Sequence, residues 1–428
     1  MDAAGRFEVI ERLCSFEGRG PGTDAERRAA NWLAERLREM GRRVEVEPTY
    51  VHPEYSLAMA LHVALAIIGS LVALLSPAAG FGLVLFSALS LFLDQNTRLY
   101  LLRRLLFRRA SQNVVSPGSN PEAPYRVVLS AHYDAAKTGL VFGPHSEKAA
   151  RRLPERGRVL LGPIRLIFWA GVVPLLLVTG LRLAGIEGAW VSALQLVFIA
   201  LGLVAIVLLV DIALSEIVPG ACDNASAVAA VLSAAEALGE DPLENLDVWV
   251  ILPGAEECNA EGMACYMRAH RREIDRERTF FVNLDSVSYG DVHYQRSEGA
   301  IVNWAMDRRL VELCEGIAER QRSGPEGAHA ARPVRHSFHT DALPVIVRGF
   351  RAISIVGAKD GVGAPYYHTP EDNPGNVDAE AMTRATDFTV ELVREIDRDL
   401  DVSSDPDPAA PREDPNQPSP TPRSTHRV

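Results

Sequence analysis

Five short clusters of histidine and carboxylate residues are the parts of this sequence that could carry chemistry. They are His132-Tyr133-Asp134, Cys222-Asp223-Asn224, Glu256-Glu257, Asn283-Leu284-Asp285 and His368-Thr369-Pro370-Glu371-Asp372. Each has an ordinary explanation when taken singly, since an Asp before a helix is usually an N-cap and a His before Thr-Pro is usually a loop residue. Five such clusters, all placed near the ends of predicted strands, favour one common site.

The donor types in these clusters point to zinc or a similar divalent ion. The candidate ligands are two histidines and three carboxylates, namely His132, His368, Asp223, Glu257 and Asp285. This set suits a pair of hydrolytic metals, and two ions about 3.5–4 Å apart can hold a hydroxide and polarise a carbonyl. The adjacent Glu256 and Glu257 can divide metal binding and proton transfer between them. Asp134 is placed to orient His132, as metal-bound histidines require.

Alternating strands and helices must position these clusters. Strand patterns cover residues 126–130, 247–252, 279–284 and 352–356, and helical patterns cover 23–40, 225–238, 261–270, 304–320 and 379–400. The alternation predicts an α/β sandwich with a largely parallel or mixed sheet. In such sheets ligands bind at the carboxyl ends of the strands, which is where the clusters are expected.

Four apolar runs interrupt the α/β pattern in two tight pairs. They cover residues 57–75 and 78–93, and then 166–181 and 189–210. About 20 apolar residues cross a bilayer, and the last run has 22 residues and no charge. A single run could be a buried core helix. The paired arrangement predicts two transmembrane helical hairpins instead.

The basic residues around these runs predict an orientation. Five arginines follow the second run and six basic residues precede the third, whereas the hairpin tips carry only Arg182 among Lys and Arg. Because Lys and Arg accumulate on the cytoplasmic side, we expect a multi-pass integral membrane protein with about four spans and a cytoplasmic catalytic domain. The basic, amphipathic residues 100–107 are expected to lie along the membrane surface.

The bulk composition bounds the remaining classes. A net charge of -11 and the lack of a basic stripe with interleaved aromatics predict no nucleic-acid partner. Five cysteines without a C-x-x-C pair indicate no disulfide framework and a reducing compartment. The first 17 residues lack the apolar region of a signal peptide. Residues 401–428 contain seven prolines and predict a disordered tail.

In chain order, the motifs H-Y-D, C-D-N-A-S-A-V-A, A-E-E, N-L-D and Y-H-T-P-E-D resemble metallopeptidase family 28. This family contains zinc aminopeptidases, some carboxypeptidases and the related glutaminyl cyclases. The resemblance covers about residues 5–50, 110–145 and 215–400, and extends to the segment around Thr340-Asp341. It implies a three-layer α/β/α sandwich of the zinc exopeptidase (phosphorylase-like) type, here with two inserted transmembrane hairpins.

The resemblance also implies a role for each candidate. Glu256 would be the general base, which takes a proton from a water bridged by two zinc ions and passes it to the leaving amine. The metal ligands would be Asp223 as the bridge, His132 and Asp285 on one zinc, and Glu257 and His368 on the other. Cys222 and Cys258 depart from the family pattern. About ninety residues separate the first two ligands, many more than is usual, because the second hairpin lies between them.

The predicted organisation divides the chain into six segments. Residues 1–52, 110–150 and 215–400 form the peptidase domain, 57–94 and 159–212 form the hairpins, and 401–428 form the tail. The expected function is a membrane-anchored zinc aminopeptidase that acts on peptides or small peptide-like substrates beside the lipid bilayer. The alternatives are a glutaminyl cyclase-like acyltransferase and a catalytically silent receptor or scaffold. A transporter is disfavoured because the spans contain no acidic residue. The side-chain preference and oligomeric state stay open.

Overall fold

A single mixed β-sheet organises the soluble part of the protein. The computed structural model describes residues 1–325, 327–336 and 339–403, and in that part nine strands form this sheet. The strands are β1 (Glu45–Val51), β2 (Arg109–Ser116), β3 (Tyr125–Ser130), β4 (Leu246–Leu252), β5 (Thr279–Asp285), β6 (Asp291–Glu298), β7 (Trp304–Ala305), β8 (Arg332–Arg335) and β9 (Arg351–Ala358). Their order is β1-β2-β4-β3-β5-β9-β6-β7, with β8 paired to β6.

The centre of the sheet consists of parallel strands, and its edges are antiparallel. The neighbours β4, β3, β5 and β9 run parallel. Strand β2 is antiparallel to β1 and β4, and β6 is antiparallel to β9 and β7 but parallel to β8. Val127, Leu129 and Val282 are fully buried. Continuous apolar runs of this kind are typical of strands covered on both faces. The register places Ser130 of β3 beside Ile251 of β4 and Asn283 of β5, so the carboxyl ends of these strands meet at one edge.

Helices cover the sheet and form a separate apolar bundle. They are α1 (Ala3–Cys14), α2 (Asp24–Glu39), α3 (Tyr55–Val72), α4 (Pro77–Gln95), α5 (Pro144–Arg152), α6 (Glu155–Leu160), α7 (Pro163–Leu166), α8 (Val173–Leu183), α9 (Ala189–Leu214), α10 (Ala227–Glu240), α11 (Glu261–His270), α12 (Arg308–Ser323), α13 (Leu343–Ile346) and α14 (Ala379–Ser403). Helices α1, α10, α12 and α14 pack with one another, and α11 packs with α13. The predicted α/β sandwich is confirmed.

Four helices among the described residues are long and apolar enough to cross a membrane. They are α3 (Tyr55–Val72), α4 (Pro77–Gln95), the helical segment Pro163–Leu183 that includes α7 and α8, and α9 (Ala189–Leu214). The last has 26 residues and is about 39 Å long, which exceeds the thickness of a bilayer core. Helices α3 and α4 approach so closely that a Cβ on Gly80 would lie 2.4 Å from the backbone N of Ala73. The hairpin helices also contact each other, since α3 packs on α9 and α4 on α8.

The bundle is apolar on its outside as well as inside. Leu75, Leu177 and Val207 are 93%, 65% and 65% exposed. Inside the bundle, His62 contacts the Ser90 Oγ at 2.9 Å and the Ala58 carbonyl oxygen at 2.7 Å. Both ring nitrogens of His62 therefore have partners, and packing within the bundle explains its presence there. Extensive outward apolar surface is characteristic of an interaction surface such as a lipid contact.

Three details differ from the sequence prediction. The helix predicted at 304–320 begins only at Arg308, because Trp304–Ala305 pairs with β6 and the Asp307 carboxylate caps the helix by accepting from the Leu310 N–H at 3.0 Å. The short strand β8 and the antiparallel strand β6 were not predicted. Residues 401–403 continue α14, and residues 404–428 of the predicted tail lie outside the described residues.

Candidate metal centre and active site

The five predicted ligands converge around Asp223. Its Oδ1 lies 3.3 Å from the His132 Nε2, and its Oδ2 lies 3.3 Å from the His368 Nε2. The Asp285 Oδ2 is 3.8 Å from the same His132 nitrogen, and the Glu257 Oε2 is 3.4 Å from the His368 nitrogen. Asp223 therefore lies between a His132–Asp285 pair and a His368–Glu257 pair. Ligand atoms of His132, Asp223 and Glu257 all lie within 4.8 Å of one another.

Different types of element carry these ligands. His132, Glu257 and Asp285 follow or end the strands β3, β4 and β5, as predicted. The expectation that all five clusters follow strands is wrong for the other two. Asp223 lies in a turn between α9 and α10, and His368 lies in a loop ten residues after β9. The turn is irregular, because Asp223 and Asn224 both have non-helical backbone angles.

The turn around Asp223 is held from two sides. The Asp372 carboxylate accepts from the backbone N–H of Cys222 at 2.6 Å and from that of Asp223 at 3.0 Å. The Asn224 side-chain amide donates to the Leu284 carbonyl oxygen at 3.2 Å, which connects the turn to the end of β5. The peptide bond between Asp223 and Asn224 is cis. These contacts fix the central carboxylate against the strand that carries Asp285.

Asp134 connects His132 to the Glu256-Glu257 segment. Its Oδ1 is 3.4 Å from the His132 Nδ1, and the proposed orienting role rests on this contact. The same carboxylate accepts from the backbone N–H of Glu256 at 3.0 Å and from that of Glu257 at 3.1 Å. The sequence did not predict this second role, because it depends on the β3 and β4 ends being neighbours.

Glu26, in the first turn of α2, is a supporting residue of the centre. Thr23 caps this helix by accepting from the Glu26 N–H at 3.1 Å. The Glu26 side chain is fully buried and accepts from the Ala255 N–H at 3.0 Å and the Ser111 hydroxyl at 2.9 Å. It thereby holds the residue that precedes Glu256. Burial, reinforced by the charge of Asp134, raises the pKa of Glu26 well above its usual range.

Two further buried carboxylates lie near the centre and were given no role by the sequence. Asp341 is fully buried, and neither of its oxygens has a hydrogen-bond partner in the described part of the chain. Burial raises its pKa to about 8, and the charges of Asp134 and Asp285 act in the same direction against that of His132. Glu298 is also fully buried and accepts from the Thr340 hydroxyl at 3.0 Å. The Thr340-Asp341 dipeptide, which belongs to the family resemblance, is the sequence feature that could have indicated Asp341.

The electrostatics of the centre are dominated by crowded, buried carboxylates. Burial raises the pKa of Glu256 and of Glu257 well above their usual range, and burial with the charge of Asp223 raises that of Asp285 to about 7. Burial also opposes ionisation of Asp223, but its contacts with His132 and the second histidine outweigh this and lower its pKa. A site of this kind needs positive charge, which divalent ions can supply.

The residues present fit zinc. The Nε2 of His368 and the Oε1 of Glu257 are buried and have no hydrogen-bond partner among the described residues, so both are available to a metal. Buried polar atoms are normally paired, and an unpaired one calls for an explanation such as an ion. Imidazole and carboxylate donors together are a usual zinc ligand set.

Aromatic rings form one wall of the centre. Tyr367 stacks on the His368 ring with centroids 3.8 Å apart, and Phe142 meets the same ring edge-on at 4.7 Å. His368 itself has a left-handed backbone, with φ of 55°. The rings thus restrict how this imidazole can turn and leave an apolar surface beside the ligands.

Solved structures with the same fold are zinc exopeptidases and related enzymes. A zinc aminopeptidase from Bacillus subtilis is 14% identical with a TM-score of 0.52, covering 92% of this chain and 95% of that one. A Zn-dependent exopeptidase from Parabacteroides distasonis is 15% identical with a TM-score of 0.51, covering 92% and 98%. Glutaminyl cyclase from Porphyromonas gingivalis is 14% identical with a TM-score of 0.51, covering 92% and 98%. These likenesses show that the chain has the fold of the zinc exopeptidases.

A sequence match covers part of the chain. Residues 210–393 match the model described as peptidase family M28, which confirms the resemblance to metallopeptidase family 28. The match includes Asp223, Glu257, Asp285 and His368 but not His132, which lies on the other side of the second hairpin. No curated protein matches the chain. The matched segment is therefore similar to a family of peptidases.

Proposed function

We propose that this protein is a membrane-anchored aminopeptidase that uses two zinc ions. The observation that carries the proposal is the position of Asp223, whose two carboxylate oxygens each face one histidine at 3.3 Å. Asp285 would complete the site on the His132 side, and Glu257 would complete it on the His368 side. Each half then has an imidazole and a carboxylate, with Asp223 shared between the two.

The residues around this centre can divide the steps of peptide-bond hydrolysis. The two zinc ions would polarise the scissile carbonyl and activate water for attack. Glu256 would take a proton from the attacking water and pass it to the leaving amine. Its Oε2 lies 3.9 Å from the His132 Nε2, so it borders the centre, and Asp134 holds its backbone in place. Asp134 would also keep His132 in the orientation that presents Nε2.

We also propose that the four apolar helices anchor the protein in a bilayer, with the peptidase domain in the cytoplasm. The outward-facing leucines and valines support this, because a soluble domain would bury such a surface. We propose the same segment boundaries as those predicted from the sequence, with the two hairpins as the anchor and residues 1–52, 110–150 and 215–400 as the peptidase domain. The basic residues that flank the hairpins on the side of the domain support the orientation.

Glutaminyl cyclisation is the second candidate, since enzymes of that activity share this fold. The presence of both His132 and Asp285 beside the other three ligands favours the two-metal hydrolase. A silent scaffold on the same fold would not need the complete ligand set together with Glu256.

Metal analysis combined with a substrate panel tests the proposal. The full-length chain, purified in mild detergent, is expected to hold two zinc ions and to hydrolyse aminoacyl reporters with a free amine but not their N-acetylated forms. Glu256→Gln is expected to keep both ions while turnover falls roughly 10²–10⁴-fold, because general acid–base transfer is lost. Glu273→Gln is the matched control, since the Glu273 side chain is 78% exposed.

Two outcomes would overturn the assignment. One tightly bound metal together with cyclisation of N-terminal glutamine would establish the second candidate. Full activity in Glu256→Gln would show that another group handles the proton.

A further inference from the structure

The ends of the apolar helices contact the segments that carry the ligands. Five residues after His132, the Lys137 Nζ donates to the Ala213 carbonyl oxygen at 2.7 Å, in the last turn of α9. The same ammonium pairs at 2.9 Å with Glu54, the residue before α3. Asp223 follows the end of α9 by only nine residues. Both hairpins therefore end close to the metal centre.

An apolar strip runs from the end of α9 to the metal centre. The Leu140 backbone N–H donates to the Asp211 Oδ2 at 2.7 Å, and the Leu140 side chain is 77% exposed. Phe142, two residues on, lies edge-on to Tyr367 at 6.0 Å and to His368 at 4.7 Å. Tyr367 is 36% exposed and stacks on His368. We call Leu140, Phe142 and Tyr367 the entry strip.

We propose that the substrate is a peptide tethered to the membrane, with its free N-terminus at the metal centre and an apolar residue behind it on the entry strip. This rests on the proposed function, which it narrows to one substrate class. A fully soluble, polar peptide would leave the strip in water. A peptide that emerges from the bilayer beside the end of α9 can cover the exposed Leu140 side chain on its way to the centre.

The distance between the end of α9 and the metal centre sets the tether length that is sufficient for such a substrate. His132 and Lys137 are five residues apart, so their Cα atoms are separated by at most roughly 18 Å. With the length of the Lys137 side chain added, the centre lies within roughly 25 Å of the end of α9. About eight extended residues are therefore enough to span that distance and deliver the N-terminus.

A matched pair of peptides tests the inference. Both share one N-terminal sequence with an apolar second residue, followed by a Gly/Ser linker of about sixteen residues, which exceeds the required reach. One ends in palmitoyl-lysine and the other in acetyl-lysine. The full-length protein is reconstituted in phosphatidylcholine vesicles, and kcat and KM are measured. The tethered peptide is expected to have a KM lower on the order of tenfold than its acetyl control, with a similar kcat, because tethering raises the local concentration.

A strip variant separates guidance along the surface from simple co-localisation. Leu140→Gln is expected to reduce the advantage of the tethered peptide over its acetyl control at least threefold. Leu160→Gln is the matched control, because Leu160 is 66% exposed on α6 and lies outside the strip. Fluorescence quenching gives a readout independent of turnover. An environment-sensitive dye is attached to the Leu140→Cys variant, and both peptides carry a nitroxide on the second residue. The tethered peptide is expected to quench the dye more than its acetyl control does.

Each result decides between the inference and the proposed function. If the acetyl peptide is cleaved and the tethered one has no advantage, or if Leu140→Gln leaves the advantage intact, the inference is wrong and the aminopeptidase stands. If neither peptide is cleaved although the dye is quenched, the strip binds its peptide and the aminopeptidase assignment falls. Absence of both cleavage and quenching overturns both.

Discussion

At the residue scale, the centre depends on carboxylates that each serve more than one neighbour. Asp223 faces two histidines, and Asp134 contacts His132 while it accepts from two successive backbone N–H groups. Loss of one such group should therefore affect several others. Asp341 adds a further buried carboxyl group without a hydrogen-bond partner in the described part of the chain.

Replacing Glu257 tests whether the two halves of the centre act as one unit. In Glu257→Ala, the His368 side loses its carboxylate, and the shared Asp223 is left with an incomplete partner. We expect both zinc ions to be lost together, with no measurable turnover. The zinc content of the purified protein, measured by mass spectrometry, checks this. Glu273→Ala, on an exposed surface, should retain both ions; one retained ion in Glu257→Ala would mean that the halves are independent.

At the element scale, Arg103 joins the first hairpin to the segment that carries the proposed base. It is fully buried and pairs through two nitrogens with Asp94, in the last turn of α4. Its Nη1 donates to the Cys258 carbonyl oxygen at 2.7 Å and lies 3.4 Å from the Glu261 carboxylate at the start of α11. Because Cys258 directly follows Glu257, the position of the hairpin and that of a proposed ligand are mechanically connected.

Arg103→Met is expected to destabilise the protein by roughly 3–5 kcal/mol, because it leaves buried carboxylates without their partner. Thermal unfolding in detergent measures this loss. Arg104→Met is the matched control. Arg104 is the neighbour of Arg103 in sequence but is exposed, so its replacement should change the stability very little.

A readout beyond stability distinguishes positioning from simple folding. Below the unfolding transition, the Arg103→Met variant should show a lower kcat with nearly unchanged KM, since Glu256 and Glu257 lose their alignment. Arg103→Lys, which keeps the charge, should recover part of the kcat. An unchanged kcat in the folded Arg103→Met protein would limit this residue to stability.

At the scale of the whole molecule, two apolar hairpins are inserted into one α/β sandwich. Each hairpin leaves and re-enters the domain on the same side, so the soluble segments can form one sheet although the spans divide them in sequence. The α3–α9 and α4–α8 contacts then combine the hairpins into one bundle. A bundle of this kind can hold the domain in a fixed orientation to the membrane, which a single span would not do.

The orientation can be measured with a reporter at the end of the chain. A fluorescent protein fused after Val428 is expected to fluoresce as in the cytoplasm, and alkaline phosphatase at the same site is expected to be inactive, because the flanking Arg and Lys residues favour the cytoplasmic side. A phosphatase fused within the tip between α8 and α9 should give the opposite result. Active phosphatase at the C-terminus would reverse the proposed topology.

The sequence by itself determined the parts of this protein that depend on local patterns. The continuous apolar runs around Val128 and Val282 predicted buried strands, and the long runs predicted the four long apolar helices close to their observed ends. The donor types of the five clusters, with their order along the chain, are the basis of the ligand set that we propose. Burial periodicity and chemical type are properties of neighbouring residues, so no knowledge of the fold was needed.

Only the tertiary structure decided which residues meet. The roles of Glu26, Asp134 and Arg103 in holding the Glu256-Glu257 segment depend on contacts between elements far apart in sequence. The proximity of the entry strip to α9 likewise depends on where the second hairpin re-enters the domain. A sequence pattern records whether a side chain is buried but not against what, because the order of strands in the sheet and the packing of the hairpins select its partners.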